Sequence, residues 1–199
     1  MMQNKLKKIS ILAILLMCFS WQIKAEEITI PVIDINRLSG TWLEVARTPN
    51  FLQRSCDYAA INYRVSEEEN ILITKLCFTN RGVVQKRELA ASVVRDKKRQ
   101  SNKGKQLLFV EYTGIMRFFT PFSRANLMIF YVNKDYTETI IGNPDKSSFW
   151  ILTRDIASVE QKQKLLEIAE SFGLKNNNLI FNNFDKDSRD KIFAIFENR

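Results

Sequence analysis

The chain has 199 residues, a formal net charge of +8 and no histidine. Without histidine it cannot form a Ser-His-Asp or Cys-His catalytic group, or a zinc or haem site with histidine ligands. Enzymes also work through paired carboxylates or lysine, but no such cluster stands out in this sequence. We therefore do not expect an enzyme, and we predict no cofactor and no metal.

Residues 1–25 have the pattern of a secretory signal peptide. Three lysines precede an uncharged, mostly apolar run from Ile9 to Phe19, and Ala25 places a small residue at the cleavage position. The apolar run is shorter than the roughly 20 residues that a membrane-spanning helix needs. We therefore predict an exported protein, periplasmic or secreted, and leave association with the outer membrane open.

The three cysteines divide between the signal and the mature chain. Cys18 raises the question of a lipid anchor, because a bacterial lipobox ends in cysteine. Met17 stands where that motif needs Gly or Ala, so we do not expect lipidation at Cys18. Cys56 and Cys77 remain after cleavage, and export to an oxidising compartment favours a disulfide over two free thiols.

Eight β-patterned runs follow the signal and are joined mostly by short turns. A meander of this kind loses its exposed edges when it closes on itself. We predict an all-β fold, an eight-stranded antiparallel up-and-down barrel. The runs are Thr41–Thr48, Tyr58–Val65, Ile71–Phe78, Val83–Val94, Gln106–Thr113, Ala125–Val132, Tyr136–Gly142 and Ser148–Arg154.

One α-helix is predicted after the last strand, packed on the outside of the barrel. Ser158 and Gln161 form a capping box at its start, and Gly173 ends it. Leu179–Phe181 is a candidate extra edge strand. The predicted apolar stripe of the helix consists of Val159, Leu165, Leu166, Ala169 and Phe172.

The C-terminal tail, residues 185–199, is the last segment. Its apolar residues Ile192, Phe193, Ile195 and Phe196 share one helical side, which indicates either a docked second helix or a partner-binding tail. No linker or internal repeat is visible. We therefore divide the chain into a signal peptide (1–25), one barrel domain (26–184) and the tail.

Two short strings far apart in the sequence point to one structural feature. Gly40-Thr41-Trp42 opens the first run, and Arg154 closes the last. The glycine permits a tight turn. We predict that the Trp42 indole lies across a closed floor and that the Arg154 guanidinium stacks on it, a cation–π pair worth roughly 1–2 kcal/mol when desolvated.

With these motifs the chain resembles the lipocalins, in particular their bacterial outer-membrane and apolipoprotein D-like branch, over residues 33–182. The first family motif matches from Asp34 to Trp42. The second, a Thr-Asp-Tyr turn, matches at Asp135 and Tyr136, with Lys134 in place of the threonine. The third matches Trp150–Arg154. Two departures are Leu43, where the family usually has tyrosine, and an extra segment at 114–119.

The resemblance implies a disulfide and a ligand-binding cavity inside the barrel. Relatives often carry one cysteine before the second strand and one late in the third, where Cys56 and Cys77 lie. An eight-stranded barrel either holds one small ligand or is filled by its own side chains, and both alternatives stay open. Alternation and the family pattern predict a lining of Ile61, Tyr63, Val65, Ile71, Ile73, Leu108, Val110, Tyr112, Leu127, Ile129 and Tyr131.

An apolar lining with a few phenol groups suits a hydrophobic ligand with one polar end. We therefore predict a carrier of a fatty acid, a lysophospholipid or a similar amphiphile. Lys75 and Arg87 are candidates to meet a charged head group, although a rim or solvent position is favoured for both. The alternative is an envelope scaffold or protein-interaction module that uses the mouth loops and the tail.

The loop Arg95–Lys105 is strongly basic, with six cations against one aspartate. We expect a solvated loop, and peripheral contact with an anionic membrane is the alternative. The chain without its signal is only mildly basic. It has no aromatic-basic repeat and no recognition-helix signature, so no nucleic-acid partner is predicted.

Overall fold

The computed structural model describes residues 33–66, 68, 70–79, 82, 84–93, 106–111, 126–175 and 177–197. Several sequence predictions lie outside the described residues. These are the signal peptide 1–25 with Cys18, the basic loop 95–105, the extra segment 114–119, and Tyr112.

Nine strands form one antiparallel sheet that closes on itself. They are β1 Gly40–Arg47, β2 Tyr58–Val65, β3 Asn70–Phe78, β4 Val84–Val93, β5 Gln106–Glu111, β6 Leu127–Val132, β7 Glu138–Gly142, β8 Phe149–Thr153 and β9 Ile180–Phe181. Each strand from β2 to β7 pairs with the next, and β1 pairs with both β8 and β2. The predicted eight-stranded barrel is confirmed, and β9 adds to the second half of β1.

The connections define a closed end and an open end of the barrel. A 3-10 turn, Ile35–Leu38, precedes β1 at the closed end, and both of its terminal residues are buried in the barrel core. A second 3-10 turn, Phe51–Gln53, lies in the β1–β2 connection at the open end. Strand β4 runs from the open end to the closed end, so the last residues of β4 and the first residues of β5 both lie at the closed end.

A β-bulge in β6 changes which side chains face inward. Ile129 pairs with Ile141 and Tyr131 pairs with Ile140, so one extra residue separates them on β6. Such a residue shifts the period-two alternation by one place. Tyr131 therefore packs outside the barrel, and the prediction that it lines the interior is wrong.

Helix α1, Val159–Ser171, packs outside the barrel as predicted. The Oγ atom of Ser158 accepts from the backbone N–H of Gln161 at 3.1 Å. The Gln161 side chain does not complete the capping box, because its amide donates instead to the buried Glu138 at 2.7 Å. Val159 is 77% exposed. The apolar stripe therefore starts at Leu165, and the assignment of Val159 to it is wrong.

The tail forms a second docked helix, α2, Lys186–Glu197. Ile192 is fully buried and packs against Leu43 of β1, Ala60 of β2 and Leu76 of β3. Fully burying such a side chain contributes about 1.5–3 kcal/mol. Neither helix, nor any other helix among the described residues, is long and apolar enough to cross a bilayer.

Candidate functional site

The closed end of the barrel is sealed by Trp42 and Arg154. The Trp42 side chain is fully buried, and its indole N–H donates to the Leu38 carbonyl at 2.8 Å. The guanidinium carbon of Arg154 lies 3.8 Å from the centre of the Trp42 ring. The predicted cation–π stacking is therefore present.

Backbone carbonyls hold the Arg154 guanidinium in place. It donates to the carbonyls of Arg37, Ser39 and Thr41 at 2.8–3.0 Å, and its Nε donates to the Tyr136 carbonyl at 3.2 Å. Burial lowers the pKa of Arg154 to about 10, so the group stays charged at neutral pH.

Gly40 makes room for this arrangement. Its φ is +104°, and a Cβ there would lie 2.9 Å from Nη1 of Arg154. A side chain at this position would be strained by the backbone conformation and would press on the guanidinium. The glycine is therefore needed both for the turn and for the close approach of Arg154.

Just above this floor the barrel is filled by its own side chains. The side chains at this level enclose a void of only about 10 Å³. The interdigitated packing that the sequence left open is thus found in the lower half. The residues around the void are Ile35, Leu38, Tyr63, Val65, Ile71, Leu108, Leu127, Ile129, Thr139 and Ile141.

The upper half of the barrel is hollow. A cavity of about 500 Å³ opens towards the β1–β2 connection and the β7–β8 turn. Its lower wall is apolar, and its upper wall carries amides and charged side chains. It is lined by Asn50, Leu52, Gln53, Ile61, Tyr63, Ile73, Lys75, Cys77, Gln85, Lys86, Arg87, Glu88, Leu89, Val110, Leu127, Ile141, Asn143, Ser148 and Trp150.

A buried polar cluster supports the upper wall. One carboxylate oxygen of Glu44 accepts from Arg47 at 2.9 Å, and the other accepts from Gln53 at 2.9 Å. Lys75 Nζ lies 3.4 Å from that second oxygen. Gln53 also accepts from the indole N–H of Trp150 at 2.9 Å. The cluster fixes the β1–β2 connection over the cavity and presents Lys75 to it.

A family model described as a lipocalin-like domain matches residues 33–183. The chain belongs to the lipocalin family. One relative is the outer membrane lipoprotein Blc of Citrobacter freundii, 29% identical over 150 residues that cover 74% of this chain and 77% of the relative. Blc of Escherichia coli K12 is 25% identical over the same shares of the two chains. This lipocalin therefore falls in the bacterial outer-membrane branch that its motifs indicate.

Solved structures show the same fold. Insecticyanin from the tobacco hornworm Manduca sexta matches with a TM-score of 0.53 and 18% identity, covering 80% of this chain and 85% of that one. Apocrustacyanin C2 matches with a TM-score of 0.52 and 15% identity, covering 77% and 81%. Lipocalins are known for binding small hydrophobic ligands, and the hollow upper half is where this lipocalin has room for one.

The predicted lining residues of this lipocalin separate into two levels. Five of them border the open cavity: Ile61, Tyr63, Ile73, Val110 and Leu127. Four others, Val65, Ile71, Leu108 and Ile129, lie in the filled lower half. Tyr131 lies outside the barrel, where burial raises its pKa to about 12, with a further contribution from Glu138. The ligand-binding role of the inward residues stays a prediction.

Sequence reasoning placed Lys75 wrongly and missed Gln53 and Trp150. The Lys75 side chain is 17% exposed and lies inside the barrel, not at a solvent-facing position. The alternation along β3 could have predicted that Lys75 faces inward, because Lys75 lies on the same face of the strand as the inward-facing Ile73. Arg87 is exposed, and it borders the cavity at the open end.

The predicted disulfide of this lipocalin is confirmed. Cys56 and Cys77 are bonded, with their Cα atoms 5.2 Å apart. The bond ties the β1–β2 connection to β3 at the open end, and Cys77 itself borders the cavity. It therefore holds the wall of the cavity in place.

Proposed function

We propose that this lipocalin is an exported carrier that holds one small hydrophobic or amphiphilic ligand, of the fatty acid or lysophospholipid class, in its open-end cavity. The observation that carries the proposal is the cavity of about 500 Å³ above a filled and sealed base. Ligand pockets in proteins typically have volumes of roughly 300–1,000 Å³. The volume therefore suits one small ligand.

The wall of the cavity supports an amphiphile over a purely polar ligand. Ile61, Ile73, Leu89, Val110 and Ile141 surround its deeper part. Burying an acyl chain against such a wall gains about 25 cal/mol per Å² of apolar surface removed from water. The amides and charged groups at the upper wall suit a polar end that stays near the mouth.

Export of the carrier is part of the proposal. The pattern of residues 1–25 supports cleavage of a signal peptide, which leaves the barrel domain 26–184 and the tail 185–199. The named bacterial relatives are outer membrane lipoproteins, which supports a place in the cell envelope. Mass spectrometry of the purified mature protein would give its N-terminus and show whether Cys18 carries lipid.

The scaffold alternative is less well supported. Its candidate tail is docked, because Ile192 is buried against the barrel and Phe193 and Phe196 pack on the same cluster. Membrane contact through 95–105 stays a prediction. The adjoining ends of β4 and β5, between which this segment falls in the sequence, lie at the closed end.

Displacement of a fluorescent fatty acid from the delipidated protein tests the carrier function. We expect saturable binding of one molecule per chain and competition by acyl amphiphiles. Ile73→Trp fills the cavity and should weaken binding at least about tenfold, since pocket contacts of this size are worth over 1 kcal/mol.

Val159→Trp is the matched control for this experiment. It adds the same ring at an exposed position on α1 and should bind as the wild type does. Thermal unfolding of both variants establishes that they fold. Absence of saturable binding to the wild type, or equal binding by a folded Ile73→Trp variant, would contradict the proposal.

A further inference from the structure

The polar cluster at the open end holds more positive than negative charge. Glu44 is fully buried, Arg47 is 1% exposed and the Lys75 side chain is 17% exposed. These three residues contribute one negative and two positive charges. A buried charge without a counter-charge is strongly unfavourable, so the surplus cation matters.

Arg47 is the cation that balances Glu44. Its Nη1 donates to Glu44 and to the side-chain oxygen of Asn182, both at 2.9 Å. Its Nη2 donates to the carbonyls of Gln53 and Cys56 at 3.2 and 2.8 Å. Arg47 thus points away from the cavity and is held by the protein.

Lys75 is the surplus cation, and it borders the cavity. Its Nζ lies 3.4 Å from Glu44 and 5.0 Å from the centre of the Trp150 ring. Burial lowers the pKa of Lys75 below its usual value. The carboxylate of Glu44 raises it in part, and the charges of Arg47 and Arg87 lower it. The surroundings therefore leave this ammonium group short of negative charge.

A second cation stands directly across from Lys75 on the next strand. Lys75 of β3 pairs with Arg87 of β4, and both border the cavity. Opposite residues of an antiparallel pair lie on the same face of the sheet with their Cβ atoms about 5 Å apart. Lys86 also borders the cavity, but it forms an ion pair with Glu88.

The same two strands become apolar towards the floor. The next inward pair below Lys75 and Arg87 is Ile73 with Leu89, and the pair above is Cys77 with Gln85. Two residues along a strand span about 6.6 Å. A charged head at the level of Lys75 thus lies directly above apolar walls.

We infer that Lys75 and Arg87 form an anion subsite that binds the carboxylate or phosphate head of a single-tailed amphiphile, with its acyl chain against Ile73 and Leu89. This inference rests on the proposed carrier function and narrows it to ligands with an anionic head. Trp150, oriented by its hydrogen bond to Gln53, lies beside the ammonium of Lys75, 5.0 Å from the ring centre.

Three ligands with the same twelve-carbon chain test the subsite: dodecanoate, dodecyl phosphate and dodecanol. The wild type should bind at least one of the two anions at least about tenfold more tightly than the alcohol, since hydrogen bonds between charged groups are the strong ones. The two anions distinguish a carboxylate site from a phosphate site. Lys75→Met should lose the preference and keep the affinity for dodecanol.

Lys175→Met is the matched control, because Lys175 is an exposed lysine beyond the end of α1. It should keep the wild-type preference. Affinity for dodecanol also shows that the Lys75→Met variant is folded. If the wild type binds neither anion more tightly than the alcohol, or if Lys75→Met retains the preference, the anion subsite is refuted while the carrier function stands. If the wild type binds none of the three ligands, the carrier function itself fails.

Discussion

The two ends of the barrel use partly buried cations in opposite ways. At the closed end, Arg154 stacks on Trp42 and donates to four backbone carbonyls. At the open end, Lys75 contacts Glu44 and the face of Trp150 and otherwise borders the cavity. A cation enclosed by protein acceptors stabilises the fold, whereas one that faces a cavity remains available to a ligand.

Packing also differs between the two ends of the barrel: the closed end is filled by side chains, and the open end is hollow. The void above the floor measures about 10 Å³, and the cavity at the mouth about 500 Å³. We therefore expect substitutions at the closed end to reduce mainly the free energy of unfolding. Substitutions at the open end should change mainly ligand affinity.

The two described tryptophans give the largest expected contrast. Trp42→Ala removes a fully buried ring and should lower the free energy of unfolding by about 3–5 kcal/mol. Trp150→Ala removes a ring that is partly buried and faces the cavity, and should lower it by about 1–2 kcal/mol. Urea unfolding followed by circular dichroism measures both. Equal losses would show that the ends do not differ in this way.

Two glycines with positive φ separate backbone strain from the contact with Arg154. Gly40→Ala and Gly82→Ala both place a side chain in the left-handed region, at a strain of about 1–2 kcal/mol. A Cβ at Gly82 would meet nothing within 4 Å, whereas one at Gly40 would meet Arg154. Gly40→Ala should therefore destabilise by about 1 kcal/mol more in the same urea experiment. A smaller loss at Gly40 would contradict the account of the floor.

The smallest expected effect is a pH dependence at the open end. Because burial lowers the pKa of Lys75, its contribution to anion binding is lost as the pH rises through that lowered value. Dodecanoate stays ionised throughout, since carboxylic acids titrate near pH 4–5. We expect its affinity to fall by up to about tenfold as the pH rises through the lowered pKa of Lys75 towards the usual lysine value of about 10.4.

Two controls accompany the pH titration. Dodecanol binding should not change with pH, and dodecanoate binding to Lys75→Met should not change either. A wild-type profile for dodecanoate as flat as that of dodecanol would contradict a role for the Lys75 ammonium.

The sequence was sufficient for the barrel and its floor because their signals are local or carried by short motifs. Alternation located β2 at Tyr58–Val65, and the two motifs located the Trp42–Arg154 contact. The bulge that moves Tyr131 outside could not be seen, because β6 has apolar residues on both of its faces. Alternation along such a strand is therefore ambiguous.

The polar residues of the site could not be predicted from the sequence, for a different reason. Lys75 looks like a surface residue until Glu44, just over thirty positions away in the sequence, is found beside it. Whether the barrel is hollow depends on how side chains from opposite walls interlock, and that requires the register of all strands. The contact of Arg47 with Asn182 likewise joins residues that are distant in the sequence.

Fluorescence quenching tests the central claim most directly, namely that the open end holds the ligand above a sealed floor. Dodecanoate brominated at carbon 2 quenches an indole that it touches, and the described residues contain two indoles, Trp150 beside the cavity and Trp42 beneath the filled level. We predict saturable quenching with one ligand per chain in the wild type and none in Trp150→Phe, where Trp42 remains. No saturable quenching in the wild type, or equal quenching in Trp150→Phe, would contradict the account.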